Sequence, residues 1–192
     1  GLNFKYIGLD ISSGKNVDII LKDPYKFDSI DSSSVDIVIS TSTFEHNEFF
    51  WLSYLEILRV LKPNGIFYLN VPSNGDYHRW PLDCWRFYPD SGIALVNWAK
   101  KNNFNSLLLE SFISKQYLEN GWNDFVAVTL KDASFKKNYP TRITHKYRNF
   151  YNAHNDNLTI LNYQNKSEDQ SNIGYKLFYK VRKKLQKMGF FQ

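Results

Sequence analysis

Cysteine is almost missing from this chain of 192 residues. Cys84 stands alone, so no disulfide forms within the chain, and a single thiol fits a reducing compartment, which makes a cytoplasmic setting the expectation. Long apolar runs are missing too: none approaches the roughly eighteen residues of a membrane span, and the opening GLNFKYIGLD runs straight into strand-like sequence with no leader pattern. Glycines are few and scattered, at 1, 8, 14, 65, 75, 92, 121, 174 and 189, and no two of them stand two residues apart. Histidines stand only at 46, 78, 145 and 154. No second histidine follows Glu45-His46 four residues on, and the four form no ligand cluster in sequence, so no metal is expected. There is no Gly-x-Ser-x-Gly elbow, and Cys84 sits among aromatic residues with nothing in sequence to activate it; it reads as a packed small residue. Basic charge is short over the first two thirds: residues 1–132 hold 12 Lys+Arg against 16 Asp+Glu, a net of −4, which argues against an extended nucleic-acid groove.

What is abundant is aromatic side chains, at 17% of the chain, and basic charge at the end. Residues 133–192 hold 12 Lys+Arg against 3 Asp+Glu, a net of +9. Hydrophobic periodicity fades at the same boundary, near KDASFKKNYP. The expected organisation is therefore a body over 1–132 and, over 133–192, a basic extended arm that ends in an amphipathic helix. In 171–191, Ile173, Leu177, Phe178, Val181, Leu185 and Met188 share one face, and Lys176, Lys180, Lys183, Lys184 and Lys187 gather opposite. Such a helix docks on the body or on another subunit, which makes a homo-oligomer an expectation; an anionic membrane surface or nucleic acid is the competing use.

In the body, FKYIGLDI (4–11), NVDIIL (16–21), SVDIVIS (34–40) and IFYLNVP (66–72) read as buried strands. NEFFWLSYLEILRVLKPNG (47–65) changes to a helical period and stops at Pro63. DSGIALVNWAKKNNF (90–104) reads as a second helix with Asp90 or Ser91 as N-cap. Residues 106–118 and 123–132 follow as two strands joined by the short turn ENGW, and so must pair antiparallel. Strands alternating with helices predict an open α/β sheet. Ligands of such sheets lie outside the carboxyl ends of the strands. Asp10, Asp23, the stretch Ser40 to His46 and the loop DYHRWPLDCWRFYPD (76–90) all fall at that edge.

Each of these residues has a plainer use. Asp10 and Asp23 serve equally well as turn-forming acids, and Glu45-His46 as the start of the helix that follows. Trp80, Trp85, Phe87 and Tyr88 serve as a hydrophobic plug. Asp83 and Arg86, three apart, serve as an ion pair that shapes the loop.

The ordered set YIGLDIS, VDIILKDPYKF, SSSVDIVISTSTFEH and YLEILRVLKPNGIFYLNVPS resembles the class I S-adenosylmethionine-dependent methyltransferases. More narrowly it resembles a small bacterial type-11-like branch, whose histidine–proline–aspartate–arginine–phenylalanine loop is matched by His78, Pro81, Asp83, Arg86, Phe87 and Tyr88. The resemblance covers roughly residues 5–131. It implies a Rossmann-like, doubly wound, mostly parallel sheet ending in an antiparallel hairpin. It also implies S-adenosylmethionine as cofactor, held by Asp10 at the ribose and Asp23 at the adenine, with Ser40 and Thr41 under the methionine portion and Glu45 and His46 at the mouth. Tyr77, Asp83 and Arg86 would then face the acceptor, and His78 would be the catalytic base. The family's first strand and glycine-rich turn have no counterpart here, so the domain reads as N-terminally truncated or as part of a longer protein, with a central strand missing from the sheet. Two functions compete on this basis. One is methyl transfer to an oxygen or nitrogen of a small-molecule or glycan-like acceptor. The other is a catalytically inactive methyltransferase-like interaction module.

Overall fold

The computed structural model describes residues 4–116, 121–155 and 159–167, with isolated positions between 174 and 188. Its strands are β1 (Leu9–Asp10), β2 (Ile19–Ile20), β3 (Val35–Thr41), β4 (Leu61–Pro72), β5 (Leu107–Ser114), β6 (Asp124–Leu130), β7 (Phe150–Asn155) and β8 (Ile160–Leu161). Helix α1 (Phe50–Val60) lies between β3 and β4, and α2 (Ser91–Lys101) between β4 and β5. The expected α/β class is what the chain forms.

The sheet is divided. β1 and β2 pair in parallel as a two-stranded sheet of their own, while the other six run in the order β3-β4-β6-β5-β7-β8. β3 and β4 are parallel; β4–β6, β6–β5, β5–β7 and β7–β8 are antiparallel. The expected β5–β6 hairpin is present, and the antiparallel share grows further because the arm adds β7 and β8. β3 therefore ends the large sheet, with Ile39 67% exposed.

Several boundaries move, for identifiable reasons. The strand expected over 4–11 shrinks to Leu9–Asp10, because only β2 offers it backbone partners; Phe4 and Tyr6 stay exposed. The strand expected over 16–21 shortens likewise to Ile19–Ile20. The helix expected over 47–65 runs only over Phe50–Val60, and β4 begins at Leu61 with Pro63-Asn64-Gly65 inside it. A residue before proline is pushed into extended backbone, so the helix stops ahead of Lys62. Asp90 does precede α2, but its side chain makes no cap; its carboxylate accepts a hydrogen bond from buried His154 at 2.8 Å.

The core forms where α1 and α2 cover the sheet. Tyr54, Leu58, Leu61, Phe67, Leu69 and Phe125 are fully buried there. Leu9 and Leu21 pack against the same cluster, which ties the small sheet to it. The start of the arm is fixed to β5 by one buried carboxylate. Glu110 accepts hydrogen bonds from the Ile143 amide at 2.6 Å and from the Thr144 amide and hydroxyl at 3.1 and 2.9 Å. The amphipathic helix expected over 171–191 lies largely outside the described residues, and none of the described helices is long and apolar enough to cross a membrane.

Candidate functional site

Parallel β3 and β4 end at the same edge, and two segments leave them there side by side. After β3, the Ser42 amide donates to Asn70 O on β4 at 2.9 Å, which holds the turn close to the sheet. A short 3-10 turn, Phe44–His46, follows. Phe44 is buried against Phe50 and Phe67, and this anchors Glu45 and His46 beside it. After β4 comes the aromatic, charged loop. Its Cys84 and Trp85 amides both donate to Glu45 O, at 2.7 and 3.1 Å, and its Phe87 amide donates to Pro72 O at 3.0 Å. Buried Phe87 packs on Phe125, with ring centroids 6.2 Å apart. The two segments thus form one backbone-stitched unit.

A charge pair organises the interior of the loop. The Asp83 side chain is 2% exposed and accepts from Arg86 Nη1 at 2.5 Å and Nη2 at 2.9 Å, a bidentate pair, and from the His78 amide at 2.8 Å. The Arg86 guanidinium holds the Asp83 carboxyl well below the usual carboxylate range. Arg86 also donates to Asp76 O at 2.8 Å and lies over the Trp122 ring. The loop is therefore shaped by the ion pair that the sequence allowed.

The imidazoles of His46 and His78 meet edge to face, with centroids 5.0 Å apart, and His78 meets Trp122 in the same way at 5.2 Å. His46 Nδ1 donates to Leu82 O, which leaves Nε2 facing Glu45 Oε1 at 3.7 Å. Glu45 is 1% exposed; burial pushes its carboxyl up, and Oε2 is buried with no hydrogen-bond partner. The histidines form no ligand cluster along the sequence, but the fold brings ligand-type atoms of Glu45, His46 and His78 within 4.8 Å of one another.

Of the other expected residues, Tyr77 is exposed on the rim of a shallow cleft of about 250 Å³ that Asp83 and Arg86 also line. Cys84 lines it too and is exposed, not packed. The aromatic plug is divided: Phe87 is buried, Trp85 donates from Nε1 to Asn47 O at 3.0 Å, and Trp80 and Tyr88 face solvent. A larger apolar hollow of about 380 Å³ between α1 and α2 is lined by Phe50, Trp51, Leu95 and Trp98 and holds no titratable group. Asp10 and Asp23 each spend Oδ1 on a local turn, Asp10 on the Ser12 amide and Asp23 on the Tyr25 amide. Burial raises the Tyr25 hydroxyl above its ordinary value, with nearby Glu48 acting in the same direction, and its ring meets Phe49 with centroids 5.5 Å apart. Ser40 is half-buried at the end of β3, and Thr41 is exposed.

Sequence reasoning missed Trp122 and its counterpart Gly75. Asn74 Oδ1 accepts from the Asn123 amide at 2.6 Å, and Asn74 Nδ2 donates to Asn123 Oδ1 at 2.9 Å. These bonds fasten the β5–β6 turn to the loop. Gly75 has φ +102, and a Cβ there would lie 2.2 Å from the Trp122 ring. The signal available in sequence was a lone tryptophan after glycine in an otherwise polar turn.

Residues 4–69, about a third of the chain, match the family model described as a methyltransferase domain. No curated protein matches significantly. Among solved structures, the chain resembles the Burkholderia thailandensis 1,6-didemethyltoxoflavin-N1-methyltransferase with bound 1,6-didemethyltoxoflavin and S-adenosylhomocysteine, at 15% identity and TM-score 0.49, covering 65% of this chain and 60% of that one. It resembles a SAM-dependent methyltransferase from Methanosarcina mazei at 13% identity and TM-score 0.46, covering 66% and 81%. It also resembles the [4+2]-cyclase SpnF at 13% identity and TM-score 0.43, covering 61% and 57%. The chain thus spans less than two thirds of the first and third of these proteins. At such identities and scores the likeness fixes neither reaction nor substrate.

Proposed function

We propose that the chain is an S-adenosylmethionine-dependent methyltransferase acting on an oxygen or nitrogen of a small-molecule or glycan-like acceptor. The observation that carries this reading is the joining of a methyltransferase-domain sequence to a cluster of Glu45, His46 and His78 at the carboxyl edge of β3 and β4. When bound, S-adenosylmethionine supplies an electrophilic methyl on its sulfonium, so the protein's own task is to align an acceptor and remove its proton.

The residues present suit the nucleoside end of that cofactor. Asp10 and Asp23 each follow a parallel strand and have a second carboxylate oxygen beyond the one spent on the local turn. Ser40 and Thr41 end β3 one short turn before Glu45 and His46. In the metal-free site His78 is placed to receive the acceptor's proton. Its amide is held by Asp83 at 2.8 Å and its Nδ1 is 3.1 Å from Asp76 O, so Nδ1 is the donor and Nε2 the basic nitrogen. Its side chain is 40% exposed, and the same loop supplies Tyr77, Asp83 and Arg86 to the cleft proposed to take the acceptor.

The test is transfer of labelled methyl from S-adenosylmethionine, at millimolar concentration, to a panel of hydroxyl- and amine-bearing small molecules and sugars. His78→Ala should cut turnover by about 10²- to 10⁴-fold. It should leave the affinity for S-adenosylhomocysteine unchanged. A His78→Ala protein that turns over normally would remove the base from this scheme, and the absence of transfer to every acceptor class would remove the scheme.

A further inference from the structure

We propose that Glu45, His46 and His78 form a binding site for one divalent transition-metal cation. The three come from two segments that the sequence separates and the fold clamps together, and their ligand atoms lie within 4.8 Å. Two imidazoles and one carboxylate on one side of a cation, with the remaining positions open, is an established donor set for zinc and for non-haem iron. Atoms sharing a cation at bond lengths near 2.1 Å sit about 3–4 Å apart. His78, half-exposed on its loop, is the group with room to close that distance.

Three further observations point to a ligand and not to chance proximity. Glu45 Oε2 is buried with no hydrogen-bond partner, an expensive arrangement for a carboxylate oxygen. Both histidines spend Nδ1 on a backbone carbonyl, His46 on Leu82 O and His78 on Asp76 O. That is how metal-binding histidines are commonly oriented: one ring N–H is donated away and the other nitrogen is left bare toward the ion. The one guanidinium of the loop interior is not free to oppose a cation: Arg86 is matched by Asp83 in a bidentate pair.

The inference stands apart from the methyl-transfer reading. It concerns the same edge but a different occupant: a cation on Nε2 of His78 would itself acidify a bound hydroxyl, in place of the free imidazole. Three protein ligands leave coordination positions that an acceptor oxygen or water would complete.

The experiment uses the full chain without an affinity tag, stripped with chelator and titrated with Co²⁺ alone, then with Zn²⁺ in competition. The expected result is one cobalt per chain, seen as visible d–d absorption with histidine-ligand intensity, displaced by zinc. Glu45→Gln, nearly isosteric, and His78→Ala, on a half-exposed loop, should each weaken cobalt binding by at least about a hundredfold, since even groups supporting a ligand cost ten- to a hundredfold. His145→Ala should leave it unchanged. Circular dichroism melts confirm that each variant is folded. No cobalt signal at millimolar metal, or equal binding by the wild type and both site variants, overturns the proposal. Neither readout involves a methyl donor, so methyl transfer can fail without touching this result, and the reverse.

Discussion

Gly75 sets a wall of the site by what it lacks. Its φ of +102 is a conformation that side chains disfavour, and the space a Cβ would take holds the Trp122 ring. Trp122 in turn bounds His78 on one side while His46 bounds it on the other. Gly75→Ala should therefore cost about 2 kcal/mol or more from backbone strain and displaced ring together. In a chain of this size that lowers Tm by at least about 4 °C. The tryptophan emission should shift as Trp122 leaves its place, and an unchanged melt with unchanged emission would show that the contact is not formed in solution. At this scale much of the site was readable. The carboxyl edge expected of an α/β sheet located the stretch 40–46 and the loop 76–90, and the resemblance singled out Glu45, His46, His78, Asp83 and Arg86 within them. What could not be read was which of them would touch. Glu45 and His78 lie on different loops, and the hydrogen bonds from Cys84 and Trp85 to Glu45 O that join those loops are backbone contacts with no sequence signature. The exposure of Cys84 was hidden for the same reason: aromatic neighbours in sequence are not neighbours in space when a loop has no period.

Among the elements, α1 was legible as a helix and illegible as to its end. Pro63 announced a stop, but the stop falls earlier because β4 pairs with β3 from Leu61 onward. The end is secured from a distance. Lys131, just past β6, donates from Nζ to Arg59 O at 3.1 Å, to Ser33 Oγ at 3.2 Å and to Leu61 O, so a cation sits on the exposed carbonyls at the helix terminus. Burial lowers the Lys131 pKa, with nearby Arg59 acting in the same direction. The folded state then holds this proton less tightly than the unfolded state does. Stability from this group accordingly rises as pH climbs through the folded value toward the ordinary lysine value of 10.5. Lys131→Met removes three donated hydrogen bonds and should cost about 1–3 kcal/mol near neutral pH. The difference between wild type and variant should widen as pH rises from neutral toward the ordinary lysine value of 10.5. Denaturant melts of the pair across that range measure it, and a difference that narrows with pH would contradict the assignment. Glu110 plays the matching part for the arm, and neither residue could be found by periodicity, since each acts on a segment far along the chain.

For the whole molecule, the fold class was legible and the division of the sheet was not. Alternating strands and helices predicted the α/β arrangement, and the short ENGW turn forced β5 and β6 antiparallel. β1–β2 pair apart from the other six strands, and among the described residues β3 ends the larger sheet, with Ile37 and Ile39 exposed. The place of the arm in the sheet was not legible, because FYNAHN gives a weak strand pattern and becomes β7 only by pairing with β5. The division bears directly on cofactor binding. In the proposed reading Asp10 and Asp23 would serve the nucleoside, but the amino-acid end of S-adenosylmethionine would need close backbone approach, and no two glycines here stand two residues apart to allow it. Losing several hydrogen bonds of about 0.5–1.5 kcal/mol each removes about two to three decades of affinity. The chain of 192 residues should therefore bind S-adenosylhomocysteine with a dissociation constant near a millimolar and not a micromolar, which is why the transfer assay needs millimolar donor. Calorimetric titration decides between the two. A low-micromolar constant that Asp10→Ala abolishes would mean that the open edge of β3, or a neighbouring chain paired to it, rebuilds the grip that the sequence does not carry.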